Sequence, residues 1–319
     1  MTAIVGQGTT YNLPNFVGEI FSISRPDTKF LSIIGGLSGG KKANAVYFPW
    51  QKYDLRAPQN IKRKEGADAP TAKGVVRGQV YNAMQIVQEQ IALSYSKLAS
   101  AGQLSGVATT GNQPVQNEMA WQIDKELKAI ARDINYILIN GEYAYNPADA
   151  DEERGARGLM AAIETNVSNA SGQALTETIL LDLLQDIYDV GGISEEESAL
   201  ILCNSSQKRR LSKVFITDKN YKEQSRNIAG VNVTTIETDF GRLNVVLDRH
   251  MSQTQIAVVS AEMCAPVFLE VPGKGLLFVE PLAKTGSADK AQIYGEVSLE
   301  YGDEKAHGKI VDLLDPRAS

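Results

Sequence analysis

The sequence predicts an α+β fold in which one long helix and many short strands share a large core. Apolar residues recur at helical spacing between residues 114 and 140, and β-branched and aromatic residues gather in short runs, mainly in the second half of the chain. Of the 319 residues, 43% are hydrophobic, which is enough to bury a large core. The length predicts two domains or one elaborated domain.

Residues 1–44 are predicted to form an extended N-terminal arm. Glycine and proline are dense in this region and prevent one long regular element, so we expect a short helix at most. The apolar patches of the arm contain Phe16, Phe21 and Phe30. Exposing such side chains to water is costly, so we expect them to dock on a surface, which another subunit could supply.

Residues 45–92 are predicted to form a long exposed hairpin. The runs 45–53 and 75–93 contain strand-forming residues, and the segment between them is polar and charged. Hairpin loops normally need about 2–5 residues, so a connection this long is typical of a functional segment. This hairpin contains Trp50, Lys52, Arg56, Lys62, Arg63, Lys64 and Glu65.

A long amphipathic helix is predicted within the segment 93–165. Apolar residues from Met119 to Ile137 recur at spacings of three and four, which is the helical period. Asn140 and the glycine after it supply a C-terminal stop. We expect a helix over residues 115–140, which at 1.5 Å per residue would be roughly 35–40 Å long.

A compact α+β unit is predicted over residues 166–262, and a strand-rich tail is predicted over residues 263–319. The unit contains a helix over residues 176–190, with Thr176 as its N-cap, and a second helix over residues 205–215. The second helix has a basic face, which we interpret as solvated; contact with phosphate or with an acidic patch of a neighbouring subunit are the alternatives. This face consists of Lys208, Arg209, Arg210 and Lys213.

The glycine-rich segment 35–42 is similar to a phosphate-binding loop but lacks one required group. It meets the first seven positions of the GxxxxGK[ST] pattern, whereas Lys42 stands where a hydroxyl must coordinate magnesium. The residues that follow predict a strand, so no helix N-terminus would face a phosphate. We interpret the segment as a glycine hinge.

Other catalytic groups lack partners in the sequence. The two histidines, His250 and His307, lie in polar surroundings and are interpreted as exposed polar residues. Cys203 and Cys264 are far apart and form no CxxC pair, so neither a disulfide framework nor a cysteine metal site is indicated. Acidic runs without EF-hand spacing are interpreted as solvated loops. The sequence therefore predicts no enzyme, no cofactor and no metal site.

The charge and hydropathy of the chain limit its partners. The net charge of −6 and the pI of about 5.2 argue against a protein whose main task is to neutralise phosphates, so nucleic acid is expected only as a non-specific neighbour. The apolar runs fall far short of the ~20 residues that a membrane span requires. No membrane partner is predicted.

The order of the segments and several stretches of local sequence resemble a known family. An arm, a charged hairpin, a long helix, an α+β unit and a strand-rich tail follow one another as in the Hong Kong 97 (HK97) type of phage major capsid protein. The local sequence is similar to the major head proteins of short-tailed coliphages with elongated heads. The similar stretches lie at residues 13–19, 27–31, 34–37, 50–55, 240–243, 280–286, 290, 295–296 and 304–309.

This resemblance implies an HK97-like fold with a definite division of the chain. The arm (1–44) and the extended hairpin loop (45–92) would reach across to neighbouring subunits. The candidate contact residues in these two segments are then Phe16, Phe21, Phe30, Trp50, Lys52, Arg56, Lys62, Arg63, Lys64 and Glu65. The long helix would be the spine of a peripheral domain (93–165), to which the strands of residues 263–319 return. Residues 166–262 would form the axial domain at the capsomer centre.

The resemblance also implies a function and a set of partners. We expect a structural major capsid protein that self-assembles, as hexameric and pentameric capsomers, into the icosahedral or prolate head enclosing phage DNA. Portal and scaffolding or decoration proteins are the implied partners. The implied location is the virion, assembled in the bacterial host cytoplasm.

Two alternatives stay open from the sequence. An encapsulin-type compartment has the same fold and cannot be separated from a capsid by sequence physics. A soluble α+β hydrolase or binding module would instead be a discrete monomer with a deep pocket near His250 or His307.

Overall fold

Two β-sheets, a hairpin and a long helix make up the part of the chain that the structure describes. This computed structural model describes residues 27–71, 73–97, 118–149, 151–193, 198–217, 223–228 and 231–315. Phe16 and Phe21, which the sequence predicts as contact residues, lie outside these ranges.

The helices follow the predicted periodicity. The long helix buries Ile130, Ile134 and Leu138 along one face, as the apolar spacing predicts. Thr176 caps the helix after it, because its hydroxyl accepts a hydrogen bond from the amide of Ile179 at 3.3 Å. The helices are α1 (Lys29–Ile33), α2 (Glu118–Asn140), α3 (Leu159–Ala162), α4 (Glu177–Asp189) and α5 (Ser205–Leu211), and a π-helical turn (Ser212–Thr217) continues α5.

A five-stranded sheet combines strands from distant parts of the chain. Its longest strand, β13, pairs antiparallel with β4 from Ala288 opposite Ser94 to Val297 opposite Gln85. On its other edge β13 pairs with β12 and β11, and β1 adds to β11 in parallel. The strands of this sheet are β1 (Lys41–Ala43), β4 (Gln85–Ser94), β11 (Ala265–Leu269), β12 (Leu277–Pro281) and β13 (Ala288–Glu300).

A seven-stranded sheet forms the second layer, in the order β5-β14-β10-β6-β9-β8-β7. All four residues of β10 are buried, as expected for a strand covered on both faces. The tail contributes β14 to this sheet, so part of the segment 263–319 does not return to the five-stranded sheet. The strands are β5 (Val167–Asn169), β6 (Ser198–Cys203), β7 (Glu223–Ile228), β8 (Val231–Thr238), β9 (Gly241–Leu247), β10 (Ile256–Val259) and β14 (Gly308–Val311).

The predicted hairpin is present but shorter than its predicted range. Strands β2 (Tyr47–Tyr53) and β3 (Arg77–Ala83) pair antiparallel along their whole length. Residues 85–92, which the sequence places in the hairpin, belong instead to β4 of the five-stranded sheet. The described residues between β2 and β3 have no strand or helix and are exposed.

Two hydrophobic clusters lie on opposite faces of the seven-stranded sheet. Side chains alternate along β6, so Leu200 and Leu202 join a cluster with α2 and the five-stranded sheet. Ile201 and Cys203 join a second cluster, which α4 and the end of α5 cover. The sheet is therefore an inner layer with apolar packing on both sides.

The expectation that Phe30 is an exposed arm residue is wrong. Phe30 lies in α1, is 0% exposed and packs in the first cluster of its own chain. The amide of Leu31 donates a hydrogen bond to the side-chain oxygen of Asn135 at 2.9 Å, which ties α1 to α2. Phe30, Leu31 and Ile34 share one helical face, so a short helix buries them without a neighbouring subunit.

Both histidines are less exposed than the sequence predicts. His307 is fully buried. His250 is half-buried and lies edge-on to the ring of Tyr136, with ring centroids 6.0 Å apart. The prediction rested on their polar sequence neighbours, whereas residues distant in the chain cover both imidazoles.

Candidate intersubunit contact surface

The loop between β2 and β3 presents charged and apolar side chains to solvent together. Arg56, Lys62, Arg63, Lys64 and Glu65 are all exposed, as predicted from their polar context. The same loop exposes large apolar side chains, which would lose their contact with water if the loop packed on another subunit. These are Leu55 (76% exposed), Ile61 (60%), Val75 (55%) and Val76 (86%).

Trp50 and Lys52 lie in β2, one of the two paired strands that form the base of the hairpin below its loop, and contact their own chain. The indole N–H of Trp50 donates to the carbonyl of Gly302 at 2.7 Å, and its ring lies edge-on to Tyr301 with centroids 4.9 Å apart. The ammonium of Lys52 lies 3.0 Å from the carboxylate of Asp303. Partial burial lowers the pKa of Lys52, but the hydrogen bond to Asp303 and nearby acids outweigh it and raise the pKa.

Asn82 anchors the other strand of the hairpin and is a residue that the sequence does not single out. Its side-chain NH₂ donates to the carbonyls of Arg157 (3.0 Å) and Leu299 (2.9 Å). Its side-chain oxygen accepts from the amides of Arg157 (2.8 Å) and Ala83 (2.9 Å). The amide of this fully buried side chain thus uses both donors and both acceptor sites. A lone asparagine at the apolar end of a strand is the only sequence signal for this role.

Tyrosines cover the side of the hairpin near its base. The ring of Tyr47 packs against Tyr81 at 5.0 Å and stacks on Tyr145 at 5.3 Å between centroids. The guanidinium of Arg157 lies over the ring of Tyr143, 4.9 Å from its centroid. These contacts, with Asn82 and Trp50, fix the base of the hairpin while its loop stays exposed.

The residues considered for chemistry are dispersed or buried. Lys41 and Lys42 lie in β1 and pair with Glu300 (2.9 Å) and Glu270 (2.7 Å), so the glycine-rich segment leads into a strand as predicted. Among the described residues, no group of three or more His, Cys, Asp and Glu side chains is placed to hold a metal ion. No helix within these same ranges has the length and hydropathy to cross a membrane.

The cysteines and the basic helix face have structural surroundings. Cys203 and Cys264 are free and buried, and burial raises the pKa of each thiol to about 12. Arg209 and Lys213 are exposed, in agreement with a solvated face. Arg210 instead turns to the chain, where its Nε donates to the carbonyl of Leu175 at 3.2 Å.

An apolar groove lies between the start of α2 and the edge strand β12. Met119 and Ile123 form one wall and Val279 and Pro281 the other. An ion pair between Lys284 and Asp289 (2.8 Å) stands at its rim. Neither histidine lines this groove.

The fold is similar to that of solved shell proteins across nearly the whole chain. The capsid protein of cyanophage A-1(L) matches with a TM-score of 0.63 at 12% identity, covering 97% of this chain and 99% of that one. The capsid protein of Myoviridae phage XM1 matches with a TM-score of 0.60 at 14% identity, covering 98% and 99%. The SrpI encapsulin of Synechococcus elongatus PCC 7942 matches with a TM-score of 0.61 at 10% identity, covering 95% and 92%. The fold is thus HK97-like, as the resemblance implied.

The sequence itself identifies the family. No curated protein sequence matches the chain. Residues 3–314 match the family described as SU10 major capsid protein. The chain therefore belongs to the SU10 major capsid protein family, and it is a structural protein of the bacteriophage head that assembles with its own copies into capsomers and resides in the virion.

Proposed function

We propose that the hairpin loop, residues 54–76, carries contacts between neighbouring capsid subunits. The exposed residues Arg56, Lys62, Arg63, Lys64 and Glu65 are the proposed contact residues. The observation that carries the proposal is the contrast within the hairpin: its base is fixed by buried hydrogen bonds, whereas its loop exposes apolar and charged side chains together.

The chemistry of the loop suits a neighbouring copy of the same chain. Its cations Lys62, Arg63 and Lys64 are adjacent in sequence, while the chain as a whole carries a net charge of −6. An acidic surface on the next subunit would attract this cluster and set the register of docking. The exposed apolar side chains would then lose their contact with water at the same interface.

We propose the following division of the chain around this hairpin. Residues 93–165, with α2 as the spine helix, form a peripheral domain, to which β11, β12 and β13 of the segment 263–319 return. Residues 166–262 form an axial domain at the capsomer centre. The presence of two separate sheets, with α2 in one hydrophobic cluster with residues of both, supports this division.

Further partners are proposed on more general grounds. The arm, with Phe16 and Phe21, contacts a neighbouring subunit. Portal and scaffolding or decoration proteins bind the assembled shell, and packaged DNA is a non-specific neighbour of an acidic protein. We further propose that the protein has no catalytic activity and assembles in the bacterial host cytoplasm.

An encapsulin-type compartment is the second candidate, because the SrpI encapsulin has a similar fold. Membership of the capsid family favours the phage head. A portal or terminase gene beside the coding sequence would support the head, and a neighbouring gene for a cargo enzyme would support the compartment.

Assembly of the purified protein tests the proposed contact. Electron microscopy and size-exclusion chromatography of the unaltered chain should show capsomers or shells. Reversing two exposed charges of the loop, Arg63→Glu with Lys64→Glu, should abolish these assemblies and leave a folded subunit with an unchanged circular dichroism spectrum.

A matched double reversal separates the loop from a general charge effect. Lys125→Glu with Lys128→Glu adds the same charge on α2, where both lysines pair with Asp124 at the surface. Such pairs contribute at most about 1 kcal/mol, so this variant should still fold and assemble. If the loop variant assembles as well as the α2 variant, the loop does not carry the contact. A stable monomer of the unaltered chain under all assembly conditions would refute self-assembly itself.

A further inference from the structure

One short segment contacts both the hairpin and two neighbouring links of the chain. Residues 301–307, here called the crossover segment, lead from β13 of the five-stranded sheet to β14 of the seven-stranded sheet. Two other links lie beside it: the first link, residues 164–166, leads from α3 into β5, and the second link, residues 260–264, joins β10 of the seven-stranded sheet to β11 of the five-stranded sheet. The crossover segment contacts both links and the base of the hairpin.

The crossover segment binds the hairpin through Gly302 and Asp303 and binds the first link through Glu304. Trp50 donates to the carbonyl of Gly302, and Lys52 pairs with Asp303. The carboxylate of Glu304 accepts from the amide of Thr165 at 3.0 Å and from its hydroxyl at 2.5 Å.

Asn166 completes the contact with the first link. Its side-chain NH₂ donates to the carbonyls of Lys305 at 2.8 Å and His307 at 2.9 Å. The crossover segment therefore holds both the hairpin and the first link.

His307 binds the second link, and its hydrogen bonds fix its protonation state. Nε2 lies 2.7 Å from the carbonyl of Tyr301, which can only accept, so Nε2 carries a proton. The amide of Ser260 donates to Nδ1 at 3.2 Å, so Nδ1 carries none. Both hydrogen bonds together require a neutral imidazole.

We propose that the crossover segment is a proton-sensitive joint, in which protonation of His307 breaks its hydrogen bond to Ser260 and loosens the connection between the two sheets. A proton on Nδ1 would point at the N–H of Ser260, so a donor would face a donor. The link between β10 and β11 would lose this attachment, and the crossover segment, which carries Tyr301 and Gly302, would be free to shift away from that link.

The groups around the imidazole oppose one another. From the crossover segment, Asp303 and Glu304 favour the charged form, as does the carbonyl of Tyr301. From the second link, the thiol of Cys264 lies 4.0 Å from Nε2, and the pKa of that thiol is itself raised, mainly by burial and further by Glu300.

Helix α4 packs on the far side with apolar side chains. The side chains of Ile187 and Leu183 pack against Gly308, the residue after His307. Burial dominates among all these effects, and the pKa of His307 is lowered.

The sign of the pH effect follows from this lowering. An unfolded chain, with the ordinary histidine pKa of about 6.5, takes up the proton before the folded chain does. The attachment is therefore complete above pH ~6.5 and is lost as the pH falls through the lowered pKa of the folded protein.

Trp50 provides a fluorescent reporter of the joint, since it contacts Gly302 and Tyr301. The chain has two tryptophans, and Trp121→Phe leaves Trp50 as the remaining one. On titration from pH 7.5 to pH 4.5, the emission of Trp50 should shift to the red in one proton step. Hydrogen exchange of the Ser260 amide should accelerate by about tenfold or more beyond the intrinsic pH effect, with far-ultraviolet circular dichroism unchanged.

The two histidines allow a matched control. His307→Gln supplies an amide donor and acceptor without a titratable proton and should remove the step. His250→Gln should retain it. A step that persists in the His307→Gln variant, or that coincides with global unfolding, would overturn the proposal.

A second measurement covers a His307→Gln variant that fails to fold. Nitrogen-15 histidine spectra of the unaltered chain should show Nδ1 of His307 taking up a proton over the same pH range in which the Ser260 amide loses protection. A His307 that stays neutral down to pH 4.5 would refute the joint. Loss of self-assembly in the hairpin-loop variant would not affect this result, so the two proposals fail separately.

Discussion

Replacing Asn82 by alanine should destabilise the subunit more than the loss of one ordinary surface hydrogen bond. The change removes all four hydrogen bonds of a fully buried amide. The carbonyl of Leu299 would then lack a hydrogen-bond donor, because the residue opposite it on β11 is Pro266, which has no backbone N–H. An unsatisfied buried polar group costs about 1–3 kcal/mol.

The backbone groups can recover part of this loss through water, so the four costs do not add in full. We expect a decrease of about 3–5 kcal/mol in the free energy of unfolding, equivalent to at least roughly 100-fold in the unfolding constant. Urea titration of the assembly-incompetent loop variant, followed by circular dichroism, measures this decrease without interference from the shell.

Two control variants test whether the decrease comes from the hydrogen bonds of a buried asparagine. Asn82→Leu conserves the volume, so a similar decrease assigns the effect to hydrogen bonds rather than to a cavity. Asn146→Ala removes an exposed asparagine that accepts one bond from Ala148 and should cost well under 1 kcal/mol. A decrease below about 1 kcal/mol for Asn82→Ala would refute the interpretation of Asn82 as the anchor of the hairpin.

Phe30→Ala should lower the free energy of unfolding of an isolated subunit by about 3–5 kcal/mol in urea titration, because Phe30 is buried in the core of its own chain. An unchanged free energy of unfolding would contradict this burial and would support Phe30 as a contact residue of the arm. Cys203 and Cys264, whose buried thiols have a pKa of about 12, should resist alkylation at pH 8 until the chain unfolds, as mass spectrometry can check; rapid labelling of the folded protein would contradict their burial. Thr176→Ala should cost about 1 kcal/mol by loss of the N-cap of α4, whereas Thr176→Ser should cost little; equal losses would exclude the cap as the cause.

Elements with a clear period were predictable from the sequence. Helix α4 begins after Thr176 as expected, and α2 ends at Asn140, the predicted stop. The tail predicted to be rich in strands, residues 263–319, contains β11, β12, β13 and β14. Local patterns determine these elements, because each needs only its own apolar face or its own cap.

Contacts between distant residues were not predictable in the same way. Trp50 and Gly302 are 252 positions apart, and nothing near either residue indicates the other. The burial of His307 depends on Ser260 and Tyr301, so its polar sequence neighbours gave the wrong expectation. The exposed loop was predictable because its length and charge are local properties, whereas its anchors depend on tertiary structure.

The five-stranded sheet has a consequence for how the chain is made. Strand β4 ends at Ser94, but its partner β13 begins at Ala288, so a ribosome must synthesise most of the protein before the pair can form. Until then β4 keeps an unpaired edge and the apolar side chains of Val87, Ile91 and Leu93 without their core. Such long-range pairing is slow and leaves nascent chains prone to aggregation. Each newly made subunit therefore spends its synthesis as a vulnerable intermediate, and its core closes only when the last part of the chain emerges.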